Sequence, residues 1–450
     1  LLKLGIIMVK VRFAPSPTGY LHIGNFRTAL VNFLFARKKN GHFMLRIDDT
    51  DHERSTLQFE KSIKDDLSWM SLNWDSIEKQ SSRIKRYDEI LQILLDKKRA
   101  YPCFETAEEL SLKRKVQLSS GKPPVYDRSA LKLSDSDIAS LKTQGKKPHF
   151  RFLLDHSQVN WNDLVKGESK YHMSSLSDPV ILREDGRVIY TLASVVDDID
   201  FEITHILRGE DHMTNSAAQI QLFEALGFKA PELGHLSLLT DISGSGLSKR
   251  LGSLSLQDLK SEGFQPMAIS SLLSKVGTSD PVEIKKDIQK IIIDFDINKF
   301  GRSKPKFDKN ELSNLNSKIF QLMDYEELSE DLNKINSDMT IELWNLIKGN
   351  ITTLKDVNEW FNVCYGKIIP IIENKTLIDL ALNLIPKTDF DENTWTIWTK
   401  ALSKESGKKG KDLFMPMRLC LTGQNKGPEM AELIRIMGRD RVISRLSNKK

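Results

Sequence analysis

Residues 9–51 read VKVRFAPSPTGYLHIGNFRTALVNFLFARKKNGHFMLRIDDTD, and this stretch decides the fold class. Residues 9–14 (VKVRFA) carry β-branched and aromatic side chains and read as a short buried strand. Pro15-Ser16-Pro17-Thr18-Gly19 must be a loop, because proline is excluded from helix interiors and central strands. From Asn25 to Asn40 the apolar residues Phe26, Leu30, Phe33 and Leu34 recur at three- and four-residue spacing, which predicts a helix. Gly41 stands where such a helix would stop. Residues 43–47 (FMLRI) read as a second strand, ending in Asp48-Asp49-Thr50-Asp51. Strand, loop, helix and strand make a βαβ opening, so an α/β fold on a parallel sheet is expected.

Outward from that opening, the 450 residues exceed one ordinary core and predict about two to four domains. The region of residues 60–100 reads as helical, and residues 101–187 turn charged and turn-rich, like an α+β domain inserted into the first. The α/β texture resumes over residues 188–243, with FEITHIL at 201–207, a helix from about Asn215 to Leu226, and a short strand at 236–240. Residues 244–309 hold a glycine-flanked basic loop, and 310–450 read as helix on helix. No apolar run approaches the roughly 20 residues that span a bilayer. The apolar start, residues 1–8, lacks a basic n-region and cleavage site and reads as a short leader with Met8 as a candidate first residue. The three cysteines, Cys103, Cys364 and Cys420, are scattered, which fits a reducing cytoplasm rather than a disulfide framework. Net charge is +5, yet residues 400–450 alone hold 13 Lys and Arg against 5 Asp and Glu. Such a basic segment suits a polyanion partner.

Two motifs carry chemistry. Pro15, Ser16, Thr18, Gly19, His22, Gly24 and Asn25 lie where a loop leaves a parallel strand and enters a helix N-terminus. Free backbone N–H groups and the helix dipole there suit phosphate, and His22 can donate to a phosphate oxygen. Gly19 and Gly24 allow close approach of a ligand. Downstream, Ser248, Lys249 and Arg250 sit between glycines, as suits a loop that folds over a triphosphate and neutralises a leaving pyrophosphate. Arg12, Arg208 and Asp48 stand at predicted strand ends, where arginine's planar fork matches a carboxylate and an aspartate can hold an ammonium. Tyr190 adds a hydroxyl and a flat wall.

HIGN at His22–Asn25 and LSKR at Leu247–Arg250 resemble the two signatures of class I aminoacyl-tRNA synthetases, usually written HIGH and KMSKS. VRFAPSPTGYLHIGN, LRIDDTD, YTLASVVDD, LRGEDH and GLSKRLGS, in that order, resemble the bacterial glutamyl-tRNA synthetase family. GKKGKDLFMPMRLCLTG, starting at Gly407, resembles that family's anticodon-binding region, so the resemblance spans nearly the whole chain. It implies a class I Rossmann-like catalytic domain in two halves (8–100 and 188–243), an inserted acceptor-stem-binding domain at 101–187, a signature-loop and stem-contact region at 244–309, and a helical anticodon-binding domain at 310–450.

The resemblance further implies ATP with Mg2+, L-glutamate and tRNA for glutamate, in a cytoplasmic monomer; whether tRNA for glutamine is charged as well stays open. His22 and Lys249 are the implied catalytic residues, joined at the ATP by Pro15, Ser16, Thr18, Gly19, Gly24, Asn25, Ser248 and Arg250. Arg12, Ser16, Asp48, Tyr190, Ser194 and Arg208 are implied to hold glutamate. Asn25 replaces the second histidine of the first signature and Gly246 the first lysine of the second, which predicts altered ATP handling rather than inactivity. Asp48 takes a place often held by glutamate, and Ser194 one held by asparagine. Some relatives carry zinc in the insertion, but here Cys103 stands without companion thiols and His149 and His156 do not replace them, so no structural zinc is expected. A shortened relative that modifies a tRNA base would lack residues 310–450, and a nucleotidylyltransferase has no reason to carry a basic helical tail.

Overall fold

The computed structural model describes residues 8–247 and 254–447. The chain divides into two compact units, one of residues 1–258, 270–283 and 287–308, the other of 259–269, 284–286 and 309–450.

The first unit opens with β1 (Lys10–Phe13), α1 (Ile23–Lys38) and β2 (His42–Ile47), and β2 runs parallel to β1 with Met44 beside Arg12. The helix starts two residues earlier than its apolar spacing suggests, because His22 caps it: the His22 Nδ1 accepts from the Gly24 amide at 3.1 Å. Nor is α1 one-faced. Ala29, Val31, Phe35 and Ala36 are buried along with the predicted stripe, which makes α1 a helix enclosed by the core. Its buried Asn32 donates to the carbonyls of Thr28 and Leu207, at 2.9 and 3.0 Å. The helix stops just before Gly41: Asn40 takes the left-handed φ of 50°, and the Gly41 amide donates to the Ala36 carbonyl at 2.7 Å. A Cβ on Gly41 would lie 2.4 Å from the Val9 carbonyl oxygen, so glycine is required by the close passage of the chain beside Val9.

Next come α2 (Leu57–Trp69), β3 (Ser76–Lys79) and α3 (Ile84–Asp96). β3 is a third parallel strand, paired with β2, inside a region that reads as helical from sequence. Its SIEK sequence is half exposed at the sheet edge and offers no apolar run. β4 (Ala100–Cys103), α4 (Ala107–Ser119), α5 (Asp135–Thr143), β5 (His149–Phe152), β6 (Gln158–Asp163), β7 (Gly167–His172) and β8 (Val180–Leu182) follow. They form an antiparallel β4-β5-β8 sheet and a β6–β7 hairpin.

The parallel layer returns with α6 (Tyr190–Asp200), β9 (His205–Gly209), α7 (Met213–Leu226) and β10 (Glu232–Leu236). The expected strand at 236–240 is misplaced. Past Leu236, which ends β10, its residues leave the parallel layer, and Thr240 exchanges backbone bonds with Pro305 and Phe307 at 2.9 and 2.8 Å. β9 and β10 are parallel, with His235 beside Arg208. Thr204 links β9 to β1: its amide donates to the Lys10 carbonyl at 3.0 Å, and its hydroxyl accepts from the Lys10 amide at 2.8 Å. Across the layer the order is therefore β10-β9-β1-β2-β3, with the winding reversed between β9 and β1. Ligands of open α/β sheets bind beyond the strand carboxyl ends at such a reversal. Arg12 and Arg208 sit there.

α8 (Leu256–Glu262) and α9 (Pro266–Lys275) contribute residues to both units, and α10 (Ile288–Asp294) to the first. The second unit is helical: α11 (Lys309–Leu322), α12 (Tyr325–Ile335), α13 (Ile341–Ile347), α14 (Asp356–Cys364), α15 (Lys375–Asn383), α16 (Thr394–Ser406), α17 (Lys411–Thr422), α18 (Met430–Met437) and α19 (Arg439–Leu446). Its core is built around Trp344 and Trp398, whose indole N–H groups donate to the carbonyls of Met323 and Ala381 at 3.2 and 3.0 Å. Part of the basic tail is internal. Arg418, Arg439, Arg441 and Arg445 donate to backbone carbonyls of this unit, and burial lowers the Arg445 pKa to about 10. The exposed cations include Lys404, Lys409, Lys411 and Lys426.

Candidate active site

The loop after β1 presents its predicted phosphate face. Pro15 is buried and its carbonyl accepts from the Asp48 amide at 3.0 Å, which fixes the loop to the end of β2. Ser16, Thr18 and Asn25 are exposed, and a Cβ on Gly19 would meet nothing within 4 Å. His22 is half-buried. Because its Nδ1 accepts from Gly24, a neutral ring carries its proton on Nε2. Burial lowers its pKa, which favours that neutral form. Nε2 is buried and has no hydrogen-bond partner among the described residues. An N–H donor thus stands ready beside the α1 N-terminus, where a phosphate would sit.

Beyond β1 and β2 lies a buried lattice of opposite charges. Arg12 donates through Nε and Nη2 to Asp198, at 3.0 and 3.2 Å. Arg46 donates to both Asp48 oxygens, at 2.7 and 3.1 Å, to Asp198 at 2.8 Å and to the Ser194 hydroxyl at 3.1 Å. Asp197 accepts from Gln80, Arg83 and Tyr87 at 2.7 to 3.1 Å. Tyr190, Ser194, Asp197 and Asp198 share one face of α6 through its helical repeat. Burial pushes the Asp48 carboxyl up to about 6, even against the pull of Arg46.

Arg208 is held differently. It donates to the Tyr190 hydroxyl at 2.5 Å, the Ser216 hydroxyl at 2.5 Å and the Gln219 side-chain oxygen at 2.8 Å. All three partners are neutral, and among the described residues the buried Arg208 Nε has no partner. Burial lowers its pKa. A guanidinium so enclosed lacks the anion it needs.

The structure therefore brings Arg12, Asp48, Tyr190, Ser194 and Arg208 to one set of strand ends, and ties Ser194 to Arg46 rather than leaving its hydroxyl open. Sequence reasoning missed Arg46, Asp197, Asp198, Ser216 and Gln219. Arg46 had a signal: a charged residue inside HFMLRI, an otherwise apolar strand that a parallel sheet buries, demands a partner. Ser248, Lys249 and Arg250 lie outside the described residues. On their far side, Leu254 and Leu256 pair with residues 21–23: the Ile23 amide donates to the Leu254 carbonyl at 3.1 Å, and the Leu256 amide to the Leu21 carbonyl at 3.0 Å. The chain thus leaves this loop directly against His22. Gly246 pairs with Thr240, and a Cβ there would meet nothing within 4 Å, so packing does not demand glycine.

In the insertion, Cys103 sits beside the Tyr126 hydroxyl at 3.7 Å. That hydroxyl donates to Glu105 at 2.7 Å, and the Ser129 hydroxyl donates to the same oxygen at 2.8 Å. These side chains satisfy one another and do not make a zinc-binding thiolate set.

Residues 8–314 match the family model described as tRNA synthetases class I (E and Q), catalytic domain, and residues 318–449 match one described as an anticodon binding domain. A glutamate–tRNA ligase 1 of Maricaulis maris is 49% identical over 441 residues, covering 98% of this chain and 99% of the relative. A glutamate–tRNA ligase of Azospirillum brasilense is 47% identical over 444 residues, covering 98% and 99%. The crystal structure of a glutamate tRNA ligase from Elizabethkingia meningosepticum, in complex with its amino acid, matches with a TM-score of 0.86 at 27% identity over 98% of each chain.

Proposed function

The chain belongs to the class I (E and Q) tRNA synthetase family, and from that premise we propose how its own residues carry the reaction. The enzyme joins glutamate to tRNA, using ATP. In the proposed mechanism the α-carboxylate of glutamate attacks the α-phosphorus of ATP, pyrophosphate leaves, and a ribose hydroxyl at the tRNA end takes the glutamyl group. No side-chain nucleophile is needed, so catalysis is positioning and charge stabilisation. Mg2+ enters as the companion of the ATP phosphates, where phosphate oxygens and water are its main ligands.

His22 Nε2 donates to a phosphate oxygen, together with backbone of Pro15, Ser16, Thr18, Gly19, Gly24 and Asn25. Lys249, flanked by Ser248 and Arg250, neutralises the departing pyrophosphate. Arg208 takes the side-chain carboxylate of glutamate, and Tyr190 holds Arg208 from one side. Arg12 draws the second carboxylate and Asp48 the ammonium, while Arg46 and Ser194 fix Asp48 in place. The insertion at 101–187 receives the acceptor stem, and the helical region from 310 the anticodon arm, of tRNA for glutamate. The proposal takes the enzyme as a monomer acting in the cytoplasm.

The observation that carries the substrate assignment is Arg208, a buried cation whose protein partners are all neutral. Arg208→Gln should raise the KM for glutamate by about a hundredfold, the scale of an uncompensated buried charge contact, and leave that for ATP within a few-fold. Equal rises in both would remove Arg208 from the glutamate pocket. Lys249→Ala should lower kcat for aminoacylation by about a hundredfold, as does loss of one preorganised donor. An unchanged rate would remove it from the mechanism.

A further inference from the structure

Arg208 is backed by a chain of buried side chains that the reaction itself does not require. His235 lies beside it on the neighbouring strand and is fully buried. Its Nδ1 is 2.5 Å from Asp163 Oδ2, and its Nε2 is 2.7 Å from the Ser216 hydroxyl that meets Arg208. Asp163 stands at the turn of the β6–β7 hairpin, and its Oδ1 accepts from the amides of Val165, Lys166 and His235 at 2.9 to 3.0 Å. We propose that Asp163, His235 and Ser216 form a positioning relay that fixes the donor face of Arg208, and so tightens the choice of a side-chain carboxylate over a carboxamide. This rests on the reading that Arg208 meets that carboxylate.

Proton accounting gives the relay its direction. Asp163, with three amide N–H groups on one oxygen, is a carboxylate and only accepts. His235 must therefore donate from Nδ1, which leaves a lone pair on Nε2. Ser216 donates its one proton toward that lone pair, with the His212 carbonyl at 3.2 Å as its other acceptor, and so turns its oxygen toward Arg208 purely as an acceptor. Ser216 and Gln219 then occupy both protons of Nη2, and Tyr190 takes one of Nη1. The proton left on Nη1 can then meet only an acceptor. Either oxygen of a carboxylate satisfies it, whereas a carboxamide has one acceptor oxygen and turns N–H donors toward the guanidinium in its other orientation. The opposite tautomer of His235 would donate to Ser216 and compete with Arg208 for its oxygen.

The full-length enzyme carries the test. Imidazole nitrogen NMR of the wild type should show His235 as the Nδ1–H tautomer, and Asp163→Asn should invert it. Ser216→Ala, which removes one hydroxyl, should raise the glutamate KM by about tenfold, the scale of one charge-assisted bond. It should lower the glutamate-to-glutamine ratio of kcat/KM, with the ATP KM and melting temperature held. An Nε2–H tautomer in the wild type overturns the relay whether or not any variant folds. So does a Ser216→Ala enzyme whose glutamate KM is unchanged or rises equally with that of ATP. If Arg208→Gln alone weakens glutamate, the relay fails and the pocket stands. If Arg208→Gln also leaves glutamate binding intact, the carboxylate reading fails with it.

Discussion

Asp48 shows how a single carboxyl couples this pocket to pH. Its usual pKa is 3.8, and burial pushes it to about 6, so folding favours the protonated form. Its contribution to stability is therefore full below 3.8 and is lost as pH rises through about 6. A substrate ammonium reverses that preference, because it stabilises the ionised form. Above pH 6 Asp48 is charged and ready. Below it, glutamate must displace a proton, and its KM should climb toward about tenfold per pH unit, with the ATP KM level. Steady-state kinetics across this range will check it, and a flat glutamate KM would release Asp48 from the ammonium. Asp48→Asn should raise the KM at all pH values and abolish the climb. The place of Asp48 at a strand end was legible, but its pKa was not. That depends on Arg46, Asp197 and the desolvation they share, which no local pattern in LRIDDTD reveals.

At the scale of elements, the β1-loop-α1-β2 unit was readable because each signal is local: a proline pair, an apolar period, a β-branched run. β3 and the true position of β10 were not, since a half-exposed edge strand and a strand containing Gly234 are chosen by their neighbours rather than by their own composition. Two glycines in the opening unit separate packing from ligand space. Gly41→Ala would drive a Cβ against the Val9 carbonyl, which backbone cannot easily yield. It should cost about 1–3 kcal/mol in urea unfolding, the range for overpacking. Gly19→Ala meets nothing within 4 Å and should stay within about 0.5 kcal/mol of wild type. The added methyl would instead fill space proposed for the nucleotide and raise the ATP KM. A destabilised Gly19→Ala protein, or a tolerated Gly41→Ala, would contradict the geometry of this turn.

For the molecule as a whole, charge has to be read after folding. The tail's excess of Lys and Arg pointed to a polyanion, but several arginines serve the helical unit from within: Arg445 closes the Leu421 carbonyl at the end of α17, and Arg441 caps those of Cys364 and Met437. What remains for RNA is the lysine set around the glycines at 407 and 410, above all the exposed Lys404, Lys409 and Lys411. Phosphate contacts release counterions, so each lost contact reduces the salt slope by about 0.7 to 0.9. Replacing these three lysines with glutamine should weaken tRNA binding and flatten its dependence on log salt by about two units, while the KM values for glutamate and ATP stay unchanged. Arg445→Met should do the reverse, lowering the unfolding midpoint of the helical unit by removing a buried donor from its carbonyls while leaving the salt slope alone. If the lysine variant kept the wild-type slope, the polyanion would have to meet other cations of this chain, and the excess charge of the tail would be solubilising surface only.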